Sequence, residues 1–238
     1  MATVAGILAD LKRKGSESVR KIYARHGMAP ERVYGVKTAD MKVVAKSIKG
    51  QQALACELME TGIMEAMYTA GMVADGAALT AAQLTKWLAG AAELQMIAEY
   101  TIPWLAVENA KAREMALEWI ESKKPHVAAA GWCTLGGLVA LKPDAELDLA
   151  EIEALMERVV KEIDKAPNRV KLCMNNFVIS VGGYVKPLLG KAKAVAKKLG
   201  TVKVDMGETE CKVPVALAYI EKIEGMGRVG KKRKTMRC

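Results

Sequence analysis

Three helical spacings stand out among the side chains able to do chemistry. Gln95 and Glu99 lie four residues apart, so a helix places an amide and a carboxylate on one face. Glu99 follows Ile97-Ala98 and precedes Tyr100, a setting suited to the rim of a groove; a solvated helix glutamate is the plainer alternative. Tyr100 and Trp104 share that spacing, read first as core packing and second as a platform for a sugar ring. Lys42 and Lys46 repeat it as a cationic pair suited to a phosphate backbone, or to a solvated face. Further on, Asn168, Lys171 and Asn175 fall on one helical face, with Asn176 and Arg169 beside it. Arg169 and Lys171 suit phosphates, and the amides suit phosphate or sugar oxygens or, equally, a loop that needs capping. Adjacent asparagines inside a helix cost propensity, which points to a polar task.

Other chemistries find no support. Only His26 and His126 are available, and Cys56, Cys133, Cys173, Cys211 and Cys238 are widely spaced without a Cys-x-x-Cys, so no metal site is expected. The five thiols read as reduced, buried side chains of a cytoplasmic protein. Gly182-Gly183 reads as a helix stop; neither a P-loop nor a dinucleotide fingerprint occurs, and no cofactor is expected. No run of about 18 uncharged apolar residues could span a membrane. The start, Met1 to Leu11, carries Asp10 and lacks the basic-then-apolar order of a secretory signal.

The 238 residues are 51% hydrophobic and 26% charged, which excludes disorder and collagen-like structure. Net charge is +9, and it is unevenly placed. Residues 12–49 carry eleven Lys/Arg against Glu17, Glu31 and Asp40. Residues 50–164 carry eight basic and eighteen acidic side chains, and residues 165–203 nine basic and none acidic. Residues 228–238 add Arg228, Lys231, Lys232, Arg233, Lys234 and Arg237. Two basic blocks and a basic tail around an acidic middle point to a polyanion, double-stranded DNA first, although any one block alone reads as a solvated face.

The elements that must position these groups are helices. Aromatics are only 5%, with a single Phe, while Ala, Leu, Met, Lys and Glu abound, which makes an all-β fold untenable. Val4, Ile7, Leu8 and Leu11 form a first apolar stripe, and Thr38 reads as an N-cap ahead of Met41, Val44, Ala45 and Ile48. Further helices are expected over 51–60, 63–74, 80–89, 93–107, 109–122, 126–140, 147–164, 167–182, 185–199 and 213–224. Trp87, Trp119 and Trp132 lie among apolar neighbours and read as core. The only strand-like alternation, Val202, Val204 and Met206, is too short for a sheet. Helices joined by short loops imply antiparallel neighbours, repeated as hairpins in an all-α, HEAT-like or armadillo-like superhelix. One domain is expected over 1–224, followed by a basic tail, 225–238, outside the core.

Tyr34-Gly35-Val36-Lys37-Thr38-Ala39-Asp40-Met41-Lys42, with Ala45-Lys46, resembles the N-terminal signature of the AlkD-like DNA alkylation repair proteins. The resemblance continues through Met115 to Ile120, Val127 to Leu135 and Asn168-Arg169-Val170-Lys171 to Gly182, over about residues 5–200. It implies a HEAT-like superhelix with a basic concave face for duplex DNA, in which an aspartate between two tryptophans excises cationic N3- or N7-alkylpurines. No general acid is needed, because the alkylated base is already a cationic leaving group and the carboxylate only stabilises the sugar cation or orients water. Carried over, the aspartate position falls on Glu99, one tryptophan on Gln95 and the other on Asn176 or Asn175, while a family arginine falls within Val127 to Ala130. Only the carboxylate survives. The resemblance therefore implies a monomeric DNA-binding protein of the alkylation-repair type, with Glu99 as its catalytic candidate and Lys42, Lys46, Gln95, Arg169, Lys171, Asn175 and Asn176 as DNA contacts. A non-catalytic binder of damaged or branched DNA, or a protein-interaction scaffold, is the alternative.

Overall fold

A computed structural model describes residues 2–237, and among them every regular element is helical. The chain forms two compact units. One comprises the residues up to Lys111 together with Gly207–Glu210 and Arg237; the other comprises Ala112–Met206 and Cys211–Met236.

In the first unit the helices are α1 (Val4–Lys14), α2 (Glu17–Arg25), α3 (Thr38–Ser47), α4 (Gln52–Met59), α5 (Met64–Val73), α6 (Ala81–Ala89) and α7 (Ile102–Ala106). Polar caps start several of them, because the first backbone N–H groups of a helix have no internal partner. Thr3 caps α1, Ser16 caps α2, and Thr80 with Gln83 forms a reciprocal box on α6. Thr38 does not cap α3: the helix begins at Thr38 itself, after an extended Lys37. The helix expected over 93–107 is also interrupted. Glu93 takes a left-handed φ of 62°, and Ile97–Thr101 forms a π-helical turn that runs into α7. Pro103 supplies the reason, since it has no N–H to offer the Glu99 carbonyl four residues back. The Ile102 N–H reaches five residues back to Ile97 instead.

In the second unit α8 (Ala112–Ile120), α9 (Pro125–Leu141), α10 (Leu149–Glu162), α11 (Asn168–Tyr184), α12 (Leu189–Leu199) and α13 (Ala216–Gly225) follow one another. Asp148 caps α10 by accepting the Glu151 backbone N–H. α9 packs against α8 and α11, and α11 against α12 and α13, the stacking of a helical-hairpin repeat. The core runs through Trp132, Met156, Val159 and Phe177, with the Trp132 and Phe177 rings 5.4 Å apart. Trp87, Trp119 and Trp132 are all buried. Val202, Val204 and Met206 lie outside any regular element.

The tail does not hang free. Gly230 and Arg233 donate backbone N–H groups to the carbonyls of Gly183 and Ala140, at the C-terminal ends of α11 and α9. Lys232 adds its ammonium to the Val139 carbonyl and to Asp144, both at 2.8 Å. Carbonyls left unpaired at a helix C-terminus attract cations, which explains why a basic segment settles there. The thiols also depart from expectation: Cys173 is buried, Cys56 and Cys133 are half-buried, Cys211 is exposed, and Cys238 lies outside the described residues.

Candidate nucleic-acid interface

The segment that carries the N-terminal signature is held by one carboxylate. Glu65 on α5 is fully buried and accepts the backbone N–H groups of Tyr34, Gly35 and Val36 at 2.7–3.1 Å. Three successive amides converge because Gly35 adopts φ 79°, and a Cβ there would stand 2.3 Å from the Ser16 carbonyl. The Tyr23 hydroxyl closes the turn by donating to the Val36 carbonyl at 2.6 Å. Burial, and then the negative charge of Glu65, push the Tyr23 phenol up to about 12. Glu65 was not singled out from the sequence; its signal is an acid inside the otherwise uncharged Met64–Val73 run.

This turn aims α3. Met41, Val44 and Ala45 face the core, which leaves Lys42 and Lys46 exposed on the opposite side with Val43 between them. Not every cation of the first basic block is available. Arg32 is spent on the carbonyls of Gly62, Gly90 and Ala92, Arg20 on that of Pro30, and Arg13 and Lys14 on Asp10. Lys21, Lys37, Lys42, Lys46 and Lys49 make no ion pair among the described residues. The sequence counts charges; packing decides which remain for a polyanion.

Gln95 and Glu99 do not share an open face. The Gln95 amide nitrogen donates to the His26 carbonyl at 2.6 Å, and its carbonyl oxygen is buried without a hydrogen-bond partner among the described residues. Glu99 sits in the π turn and is 6% exposed, not at a solvated rim. Tyr100 beside it is half-exposed, whereas Trp104 is buried, edge-on to Tyr68 at 5.3 Å and to Tyr100 at 6.5 Å. Thus core packing holds for Trp104, and Tyr100 alone presents an aromatic face.

On α11 the amides divide between two tasks. Asn168 exchanges two hydrogen bonds with the Asp205 backbone at 2.6 and 2.7 Å. Asn175 is fully buried and donates to the Pro214 carbonyl at 2.9 Å, so it holds the segment that follows α12 onto α11. Arg169, Lys171 and Asn176 stay half-exposed. Val127 to Ala130 on α9 are buried, with no cation among them. Elsewhere in this unit Lys191 is held in its charged form by Glu157 and Glu153, and Lys193 by Glu224, whereas Lys165, Lys186, Lys197, Lys198 and Lys203 make no ion pair among the described residues. In the tail, Arg237 is clasped by Glu108 and the Met72 carbonyl. No group of three residues able to hold a metal ion, and no helix long and apolar enough to cross a membrane, occurs among the described residues.

Residues 7–192 match the model of the family described as "DNA alkylation repair enzyme". Uncharacterized protein Lin0241 of Listeria innocua serovar 6a is 29% identical over 226 residues, 93% of this chain and 97% of the relative. Uncharacterized protein Lmo0209 of Listeria monocytogenes serovar 1/2a is 28% identical over the same shares. A solved structure described as "a new family of proteins related to the HEAT-like repeat DNA glycosylases with affinity for branched DNA structures" is 34% identical, with a TM-score of 0.89 over 100% of both chains.

Proposed function

The chain belongs to the DNA alkylation repair enzyme family, and on that premise we propose that it is a DNA-binding protein of the alkylation-repair type whose hold on DNA outweighs any excision. What supports this is the unpaired, solvent-facing lysines, with Lys42 and Lys46 on α3 foremost, beside a Glu99 that is buried and whose tryptophan positions, as the resemblance carries them over, are held by Gln95 and by Asn176 or Asn175. Phosphate contacts need exposed cations and little else. Excision needs a carboxylate placed to within a fraction of an ångström of the sugar, and a misplacement of about 1 Å costs on the order of 100-fold in rate.

Because the solved relative is described as having affinity for branched DNA structures, the reading extends to DNA that carries a branch or alkylation damage. It includes a monomer acting in the cytoplasm without metal or cofactor. Arg169, Lys171 and Asn176 contribute further backbone contacts from α11, and Tyr100 offers an aromatic surface on which an unstacked base or sugar can rest. Gln95 and Asn175 act one step back, by fixing the His26 turn and the Pro214 segment.

The test is the salt dependence of binding to a labelled duplex and a four-way junction, followed by fluorescence anisotropy. Affinity should fall steeply with salt, and the Lys42→Ala, Lys46→Ala double variant should lower the log–log slope by about 2, near 0.9 per lost phosphate contact. Binding that ignores both salt and these substitutions would refute the reading and leave the protein-interaction scaffold in its place.

A further inference from the structure

We infer that Cys133 and Cys173 form a peroxide-sensitive dithiol that closes to a disulfide between α9 and α11. Their Sγ atoms already stand 3.4 Å apart. A disulfide needs about 2.05 Å, so closure asks for about 1.4 Å of approach, within reach of small side-chain rotations. The contact is held by its neighbours. Trp132 packs on Phe177 one residue before Cys133 and one turn after Cys173, and a Cβ on Gly136 would lie 3.4 Å from the Ser180 hydroxyl on the next turn. Small residues let the two helices run close there, and aromatic packing fixes their register, so the thiols are opposed by the fold rather than by a mobile loop.

The two thiols differ in the way the chemistry requires. Cys133 is the one half-exposed residue of α9 between Val127 and Ala140, so an oxidant in solvent can reach it. Cys173 is buried, 2% exposed, and needs no access because its partner is delivered by the fold. A hydroperoxide oxidises the Cys133 thiol to a sulfenic acid, transferring one oxygen and leaving water or an alcohol. The Cys173 sulfur then attacks that sulfur, forming the S–S bond and releasing the oxygen as water. Two thiol hydrogens are lost and the peroxide O–O bond is reduced. The crosslink ties α11, which carries Arg169, Lys171 and Asn176, to α9.

Full-length reduced protein treated with hydrogen peroxide should lose two of its five thiols, and its intact mass should fall by two hydrogens. Proteolysis without reductant should yield one peptide pair joining α9 to α11, and dithiothreitol should restore all five thiols. Cys133→Ser and Cys173→Ser should each abolish the crosslink, whereas Cys211→Ser, at an exposed position, should leave it intact. A full complement of thiols after treatment, or an oxygen adduct on Cys133 that persists beside a free Cys173, would overturn the inference. This readout is independent of DNA, so its failure leaves the proposed binding untouched.

Discussion

Replacing Glu65 should reveal how strongly the Tyr34–Val36 turn depends on one buried carboxylate. Its four contacts, all between 2.7 and 3.1 Å, satisfy three backbone N–H groups that have no other acceptor within the turn. Glu65→Gln keeps an acceptor at the Oε1 position, where all three amides converge, but presents an NH2 group to Tyr34 and loses the charge. Hydrogen bonds to charged groups contribute about 1.5–3 kcal/mol, so a loss of about 2 kcal/mol is expected. Glu65→Ala removes every acceptor and leaves three buried donors unsatisfied. At about 1–3 kcal/mol for each such group, with relaxation recovering part, the cost is about 3–5 kcal/mol. Against a total stability of about 5–15 kcal/mol, that is enough to cripple the first unit. Urea unfolding followed by circular dichroism measures both losses, and hydrogen exchange at Tyr34, Gly35 and Val36 locates them. An alanine variant within about 0.5 kcal/mol of the parent, with those amides still protected, would refute the argument, because surface substitutions alone produce changes of that size.

Two further outcomes are expected. The Tyr23 phenol, raised from 10.0 to about 12 in the folded protein, keeps its proton there after the unfolded chain has lost it. Stability should therefore be level below the unfolded value, near 10, and decline as pH rises through 10 to 12. Tyr23→Phe should flatten that alkaline decline in denaturant midpoints measured across the same range; a decline of equal steepness in the variant would reject the assignment. At Glu99, any measurable release of alkylpurines from methylated DNA should drop by about 100-fold or more in Glu99→Gln, while duplex affinity stays level or rises because a negative charge near phosphates is gone. An active protein with an indifferent Glu99→Gln variant would remove Glu99 from the chemistry.

The amino-acid sequence by itself determined the class of the fold, because apolar spacing and helix-forming composition are local properties that packing had no cause to overrule. It placed the stripe of α3 and the buried tryptophans, and its resemblance named the family that residues 7–192 match. What it could not decide was which polar groups would be left for a ligand. Arg32, Asn168, Asn175 and Arg237 look like binding residues in the chain, yet each is consumed by a partner 37 or more positions away, apart from Arg32, whose carbonyl partners begin 30 positions on. Glu65 looks like an ordinary acid and proves to hold the signature turn together. Glu99, expected at a rim, lies in the interior, within the π turn that runs into the helix carrying Pro103. Periodicity reports which face of a helix is apolar; whether a charged side chain on the other face meets solvent or a distant carbonyl is fixed only when the whole chain has packed, since unsatisfied buried polar groups must find partners wherever the fold supplies them.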